Sequence, residues 1–218
     1  MLPSRQPSVA IADDSTVARE GVAAIIQHHL GYRVCGLATD ERVTRELMEK
    51  HQPDLLVLEP FLGHQDGIFL LKQLAARFPQ TRILAVSRQA EEIYAKRALR
   101  AGASGYWMKT STREELIRAI DTVLAGELYV SPRIALHAVH EIVDRPATHH
   151  KIPNLTDREL HVFALSGAGL GTSRIAQELG ISPKTVETYH EHIKLKLGYR
   201  DAHALRRGAR EWFEVNHR

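Results

Sequence analysis

The sequence predicts an α/β fold, a doubly wound parallel sheet of five strands, followed by a small all-α domain of four short helices. Three observations predict it. From residue 8 to about 126, short β-rich apolar runs alternate with segments whose apolar residues recur every three or four positions, the order expected of parallel βαβ units. The runs are apolar throughout instead of alternating, which suits a sheet covered by helices on both faces. From residue 155 to 213 the pattern is helical only, with helix caps repeated at short intervals.

The strands are expected at 8–12 (SVAIA), 32–37 (YRVCGL), 54–58 (DLLVL), 82–86 (RILAV) and 104–108 (SGYWM), with helices over 15–29, 40–51, 67–78, 90–101 and 112–125. Past GELYVSP the character changes: 133–143 reads as one more helix and DRPATHHKIPN, with two prolines, as a linker. In the last part, TDRE at 156–159 is a capping box, because a Thr cap and a Glu three residues later satisfy each other's free amides. Thr172, Ser182 followed by Pro183, and Asp201 are expected to start the remaining helices. The division is therefore a tail over 1–7, an α/β domain over 8–127, a linker with a helix over 128–152 and an all-α domain over 153–218.

With 218 residues and 44% hydrophobic content the chain can bury two ordinary cores. Residues 1–130 hold 16 Lys/Arg and 16 Asp/Glu whereas 131–218 hold 13 and 10, so the formal net charge of +3 resides in the second part, a weak pointer to nucleic acid. Cys35 is the single cysteine, which excludes an intramolecular disulfide and suits a reducing compartment; it is expected to serve as a small buried hydrophobe. No run reaches the ~18 apolar residues of a membrane span, and MLPSRQP lacks a signal-peptide core, so a cytoplasmic protein without membrane contact is expected.

In an open parallel sheet the loops after the carboxyl ends of the strands share one edge. The first strand delivers Asp13 and Asp14 there, the third Glu59, the fourth Ser87, and the fifth leads to Lys109. Carboxylates facing a lysine and a hydroxyl are the groups that hold a hard divalent cation and a phosphoryl group. Here the chain resembles the receiver domains of bacterial two-component response regulators, flavodoxin-like in fold, on DDS at 13–15, PDLLVL at 53–58, DG at 66–67, Ser87 after RILAV, and GASGYWMK at 102–109. The resemblance implies that Asp13 and Asp14 match the metal-binding acids, Ser87 and Lys109 the phosphate-sensing pair, and Tyr106 the switch aromatic. It also implies an Asp that accepts phosphate at position 59, where this chain has Glu, followed by Pro60 and by Gly63 where the family usually has Pro.

The extra methylene advances the carboxylate by ~1.5 Å, and in-line transfer tolerates such displacements poorly, ~1 Å costing ~100-fold. The expectation is a receiver that is not phosphorylated in the ordinary way. Glu59 reaches instead for Lys109, and any Mg²⁺ site built from Asp13, Asp14 and Glu59 is weak; no cofactor is required. Constitutive activity and an inert state stay open for Glu59.

The stretch GTSRIAQELGISPKTVETYHEHIKLKLG (171–198) has the pattern of a helix-turn-helix. Ala176 is small where two helices cross, Gly180 supplies the left-handed turn, and Ile175, Leu179, Ile181 and Val186 fill the angle. The second helix is expected over 183–197 with Val186, His190, Ile193 and Leu197 as its buried stripe and Lys184, Glu187, Thr188, Glu191 and Lys194 outward. Base edges fall to outward residues near its amino end, among Lys184, Thr185, Glu187 and Thr188, and phosphates to Lys194, Lys196, Arg174, Thr172 and Ser173. A carboxylate such as Glu187 or Glu191 can accept from cytosine N4. With LTDRE before it and KLGYRDA after it, the segment resembles the LuxR-type domain over about 152–213, and the whole chain the NarL/FixJ-type response regulators. By resemblance Tyr189 stands at a frequent His position, where it either touches the DNA backbone or packs. The resemblance also makes the last helix, with Ala202, Leu205, Ala209 and Trp212, a dimer contact, packing within its own bundle being the other reading. The pairs His149–His150 and His190/His192 lack a third ligand at fixed spacing, so no metal site is expected of them.

The chain is thus read as a sequence-specific DNA-binding transcriptional regulator, not an enzyme, partnered by double-stranded DNA and a second copy, with a receiver that controls dimerisation or domain release. A sensor kinase or a small ligand is the possible upstream partner. Conventional phosphorylation on Glu59, Asp13 or Asp14, a ligand-gated pseudo-receiver, and a metal-dependent phosphohydrolase are the competing readings.

Overall fold

The computed structural model describes residues 6–62, 67–143 and 155–216. Gly63, Asp66, most of the tail and the linker stretch 144–154 with His149 and His150 lie outside the described residues. The chain divides into two compact units, the first ending at Val139.

The first unit runs β1 (Ser8–Ala12), α1 (Thr16–Ile25), β2 (Arg33–Ala38), α2 (Glu41–His51), β3 (Leu55–Leu58), α3 (Gly67–Arg77), β4 (Arg82–Ser87), α4 (Glu91–Arg100), β5 (Gly105–Met108) and α5 (Arg113–Leu124). Its strands form a parallel sheet in the order β2-β1-β3-β4-β5. Every residue of β1 and β3 is buried, which is why these strands read as unbroken apolar runs. Val9, Ile11, Leu55, Val57, Leu84 and Val86 form one face of the core, under Val22 and Ile26 from one side and Leu116, Ile120 and Val123 from α5. Strand order reverses between β1 and β3, so the crevice of the doubly wound sheet opens where Asp13 and Glu59 leave it.

The first helix departs from the expected 15–29. Its α-helical part stops at Ile25 and a single π-helical turn, Ile26–Leu30, continues it to Gly31, which closes the turn at φ +64°. The wider turn keeps Ile26 fully buried, and Tyr32 N–H donates to its carbonyl as the chain enters β2. Cys35 sits in β2 half-buried, its thiol donating to Val9 O at 3.4 Å. After α5 comes α6 (Pro132–Val143).

The second unit contains α7 (Asp157–Gly167), α8 (Thr172–Leu179), α9 (Pro183–Leu197) and α10 (Ala202–Asn216). The capping box at Thr156 and Glu159 is present in both directions. Thr172, expected as a cap, is the first residue inside α8 and Gly171 occupies the cap, because the extended turn (φ −79°, ψ 160°) falls on the glycine. Ser182 and Asp201 cap as expected, accepting from Thr185 N and Ala204 N.

Phe163 is the centre of this bundle, with the Tyr199 ring stacked at 6.3 Å and Trp212 at 5.6 Å. Leu205, Ala209 and Trp212 are buried inside the unit and only Ala202 is exposed, so three of the four residues read as an available dimer face are spent on the domain's own core. Close approach of α10 to α7 demands Gly167, where a Cβ would stand 2.4 Å from Ala209 O. Among the described residues no helix is long and apolar enough to cross a membrane.

Candidate functional site

Strand register sets the crevice. Ala12 of β1 pairs with Leu58 of β3, so the next residues, Asp13 and Glu59, leave the sheet side by side; Glu59 N–H donates to Ala12 O at 2.8 Å. Ser87 ends β4, and Lys109 follows β5 with its N–H on Ser87 O at 2.8 Å. The sheet therefore presents Asp13, Glu59, Ser87 and Lys109 together.

The Lys109 ammonium lies 2.6 Å from Asp13 Oδ2 and 2.8 Å from Glu59 Oε2. The other Glu59 oxygen, Oε1, accepts from the Ser87 hydroxyl at 2.9 Å and from Phe61 N–H at 3.2 Å. Both carboxylates are buried, Glu59 at 7% exposure. Burial pushes the Glu59 carboxyl above its usual range, opposed by Lys109, its hydrogen bonds and those of Phe61 and Ser87. For Lys109 burial works against the charge, but Glu59 and Asp13 outweigh it and the ammonium is held above its usual pKa. Asp13 Oδ1 also accepts from Ser15 N–H at 2.9 Å, and Ser15 caps α1.

Asp14 does not join this group: it is exposed, so the expected three carboxylates are two. A hard divalent cation needs a convergent set of oxygen ligands. Here an ammonium stands between Asp13 and Glu59, and among the described residues no three carboxylate, thiolate or imidazole groups converge. The arrangement does not fit Mg²⁺.

Tyr106 is turned fully inward, its hydroxyl donating to Gln89 O at 2.8 Å, and burial followed by the nearby Glu59 charge pushes its pKa well up. Two participants escape the sequence pattern. Arg19, buried in α1, donates to Asp13 O at 2.6 Å, and Gln89 acts through its backbone, its N–H donating to Ser87 Oγ at 3.3 Å. A basic residue one turn into the helix after DDS was the only available signal for Arg19; backbone roles such as that of Gln89 leave none.

In the second unit, Ile175, Ala176 and Leu179 of α8 and Val186 and Ile193 of α9 are buried, with Gly180 at φ +63° between them. His190 and Leu197 are only half-buried. His190 Nε2 is 2.9 Å from Ser166 Oγ, whose own hydrogen goes to Val162 O at 2.7 Å. The ring must then be the donor through Nε2, and burial, aided by Arg206, keeps its pKa low. Lys184, Glu187, Thr188 and Glu191 are exposed along α9, as are Ser173 and Arg174 on α8; Thr172, Thr185 and Tyr189 are half-buried.

Thr185 Oγ1 is paired with Ser182 Oγ and Thr188 Oγ1 donates to Lys184 O. Two of the cations expected at DNA phosphates are engaged within the unit. Lys196 lies 2.6 Å from the buried capping acid Glu159, and Lys194 2.9 Å from Glu191 with its side chain only 20% exposed. Leu195, 81% exposed on α9, was not anticipated.

The first unit matches the family model described as response regulator receiver domain over residues 9–121, and the second matches bacterial regulatory proteins, luxR family, over 153–207. The oxygen regulatory protein NreC of Staphylococcus carnosus (strain TM300) is 33% identical over 195 residues, covering 87% of this chain and 90% of that protein. Among solved structures, a LuxR-family two-component response regulator from Aurantimonas sp. SI85-9A1 is 32% identical, with TM-score 0.59 over 64% of this chain and 99% of that one. RcsB of Salmonella enterica serovar Typhimurium, bound to promoter rprA with the phosphomimetic BeF3-, shares the fold at 21% identity, with TM-score 0.60 over 93% of this chain and 98% of that one.

Proposed function

Since the chain belongs to the two-component response regulators with a LuxR-type DNA-binding domain, we propose that it regulates transcription as a homodimer on DNA, with a receiver whose state is set by Glu59 itself and not by a transferred phosphoryl group. The observation that carries this reading is that Glu59 spends both oxygens at once, Oε1 on Ser87 and Phe61 and Oε2 on Lys109. Ser87 and Lys109 are the groups that, by the resemblance, would sense a phosphate. A phosphate acceptor must present a free oxygen in line with the donor. Here the acid is already the object of the sensing pair, and an ammonium stands between it and Asp13.

On the DNA side the second helix of a helix-turn-helix enters the major groove with its amino-terminal residues toward the bases. Lys184, Glu187, Thr188 and Glu191 are the exposed groups that would face base edges. Glu187 and Glu191 would favour cytosine, which offers an N4 donor, and oppose guanine, which offers acceptors. Ser173 and Arg174, with Thr172 beside them, fit phosphate contacts; Lys194 and Lys196 serve the domain's own acids first.

The test is genome-wide footprinting with purified, untreated protein and with the Glu59→Asp and Glu59→Gln variants. Specific binding by the untreated protein, with Glu59→Asp binding only after treatment with a phosphodonor, is the expected result. Binding by the unaltered protein only after phosphodonor treatment replaces this reading with conventional phosphorylation.

A further inference from the structure

The helix that closes the second unit has two faces of opposite character. Ala204, Leu205, Ala209 and Trp212 of α10 are buried in the bundle. Arg206, Arg207 and Arg210, spaced three and four apart on the other side, are exposed. Among the described residues none of the three makes an ion pair or a side-chain hydrogen bond. Glu211 and Glu214 follow, exposed, toward the end of the helix, and neither pairs with these arginines. Like charges at such spacings oppose the helix that carries them, so the stripe gains nothing from its own unit.

The recognition helix is short of cations where α10 is rich in them. Among its outward residues Lys184 stands against Glu187 and Glu191. Lys194 is spent on Glu191 and Lys196 on the buried Glu159, and Leu195, 81% exposed, brings no charge. On α8 the exposed Arg174 bonds Gln177 Oε1 at 3.0 Å. A duplex is held largely by cations that displace counterions from its phosphates, and α9 as built supplies little of that.

α10 packs on both α7 and α9. Arg206 is near enough to α9 to act on His190, whose pKa is lowered by burial first and by this guanidinium second. A helix lying in the ~12 Å major groove has a ridge of phosphates on either side, so cations on a neighbouring helix meet backbone and not base edges. The planar guanidinium donates two parallel N–H groups to phosphate oxygens, which suits it to that contact. A second copy is the occupant that charge argues against: across a two-fold axis this face meets itself, arginine against arginine.

We propose that Arg206, Arg207 and Arg210 form a clamp on the DNA backbone, holding phosphates of the same duplex whose major groove α9 reads. Affinity then comes mainly from α10 and base preference from α9. The inference rests on the reading of this unit as DNA-binding and adds to it a surface outside the helix-turn-helix.

Salt titration of DNA binding by the full chain tests it. The probes are a duplex that the unaltered protein enriches from a random-sequence pool and an unrelated duplex of equal length. Arg206→Gln, Arg207→Gln and Arg210→Gln are combined in one variant, and the same three positions carry Lys in a second. Each lost phosphate contact removes about 0.9 from the slope of log binding constant against log salt. The glutamine variant is expected to lose about 2–3 units of slope, while its preference for the enriched duplex stays within about twofold, because phosphate contacts do not specify sequence. The lysine variant keeps the slope. Sedimentation without DNA shows the same oligomeric state for all three proteins, and the thermal unfolding midpoint of the glutamine variant is not lowered. A slope changed by less than about half a unit in the glutamine variant overturns the proposal. So does a slope that falls only together with loss of a dimer, which makes this face a protein interface instead. Failure of the DNA-binding reading itself shows earlier and separately, as no duplex enriched by the unaltered protein, and removes the proposal with it.

Discussion

Oε2 of Glu59 lies 2.8 Å from the ammonium of Lys109, and the same ammonium lies 2.6 Å from Asp13. One buried cation thus neutralises two buried acids, and among the described residues no other ammonium or guanidinium forms an ion pair with either carboxylate, Arg19 bonding only the Asp13 backbone oxygen. Removing it leaves uncompensated charge in a largely buried site, where breaking a buried pair costs about 3–5 kcal/mol. Lys109→Met is expected to lose about that much in denaturant unfolding of the first unit. Glu59→Gln is expected to lose less, because Lys109 keeps Asp13. Burial already raises the Glu59 carboxyl and Lys109 opposes the rise, so in Lys109→Met the acid should titrate higher still, read as a later carboxyl shift on carbon NMR.

Incubation with acetyl phosphate and Mg²⁺ is expected to leave the unaltered protein without stoichiometric acyl phosphate, since both Glu59 oxygens are already bonded and no convergent cation site exists among the described residues. Glu59→Asp withdraws the carboxylate by ~1.5 Å, freeing the Lys109 and Ser87 groups for a phosphate, and is expected to label. Mass mapping of the intact protein reads both. Stoichiometric label on Glu59 removes the basis for a receiver that sets its own state.

The second unit carries an acid-sensitive group. His161 is 2% exposed, and burial, with the nearby Arg158 charge, lowers its pKa from 6.5 to about 3. The folded form therefore binds fewer protons than the unfolded one between these values. Stability is complete above pH 6.5 and declines as pH falls, by about 1.4 kcal/mol per pH unit for one group. His190, also lowered by burial first, acts in the same direction. Thermal unfolding followed from pH 7 to pH 4 is expected to show this decline for the second unit, and His161→Leu to flatten most of it. An unchanged slope in His161→Leu rules His161 out as its source.

How far the sequence carried these conclusions differs by residue type. Strand positions followed from unbroken apolar runs, and the start of α9 from Ser182 and Pro183, because caps and burial are local or periodic properties. Asp13, Glu59, Ser87 and Lys109 were found because strand ends of a parallel sheet share one edge. Asp14 was grouped with them too, but it is exposed, whereas Asp13 is buried against Lys109. Lys196, expected at a DNA phosphate, has a partner in its own domain that the sequence does not record. Helical spacing fixes the direction of its Cβ, but a four-carbon stem reaches either to solvent or to Glu159, 37 residues earlier in the chain, and nothing local records that neighbour. The π-helical turn at Ile26 and the backbone role of Gln89 likewise depend on contacts distant in sequence.

Gly167 tests the tightest contact in the bundle. A Cβ there would stand 2.4 Å from Ala209 O and 2.8 Å from Phe213 Cβ, so α7 and α10 must move apart. Overpacking of this kind costs about 1–3 kcal/mol, and Gly167→Ala is expected to lower the unfolding midpoint of the second unit without altering the first.

Lys184 and Lys196 lie on the same helix, yet they are expected to answer differently to salt. Lys184 is exposed near the amino end of α9, free to displace counterions from DNA phosphate. Lys196 is bound to Glu159, the acid whose other work is to cap α7 through Thr156 N–H at 2.8 Å. If Lys184 touches a phosphate, Lys184→Met reduces the slope of log binding constant against log salt by about one, with the fold unaffected. Lys196→Met should leave the slope nearly unchanged but destabilise the unit by about 1–2 kcal/mol, less than for a fully buried pair because the lysine is partly exposed. Salt titration of DNA binding, paired with denaturant unfolding of each variant, separates the two effects. A full unit of slope lost in Lys196→Met, with stability intact, would return Lys196 to the DNA-binding surface and leave Glu159 to be held by its own helix.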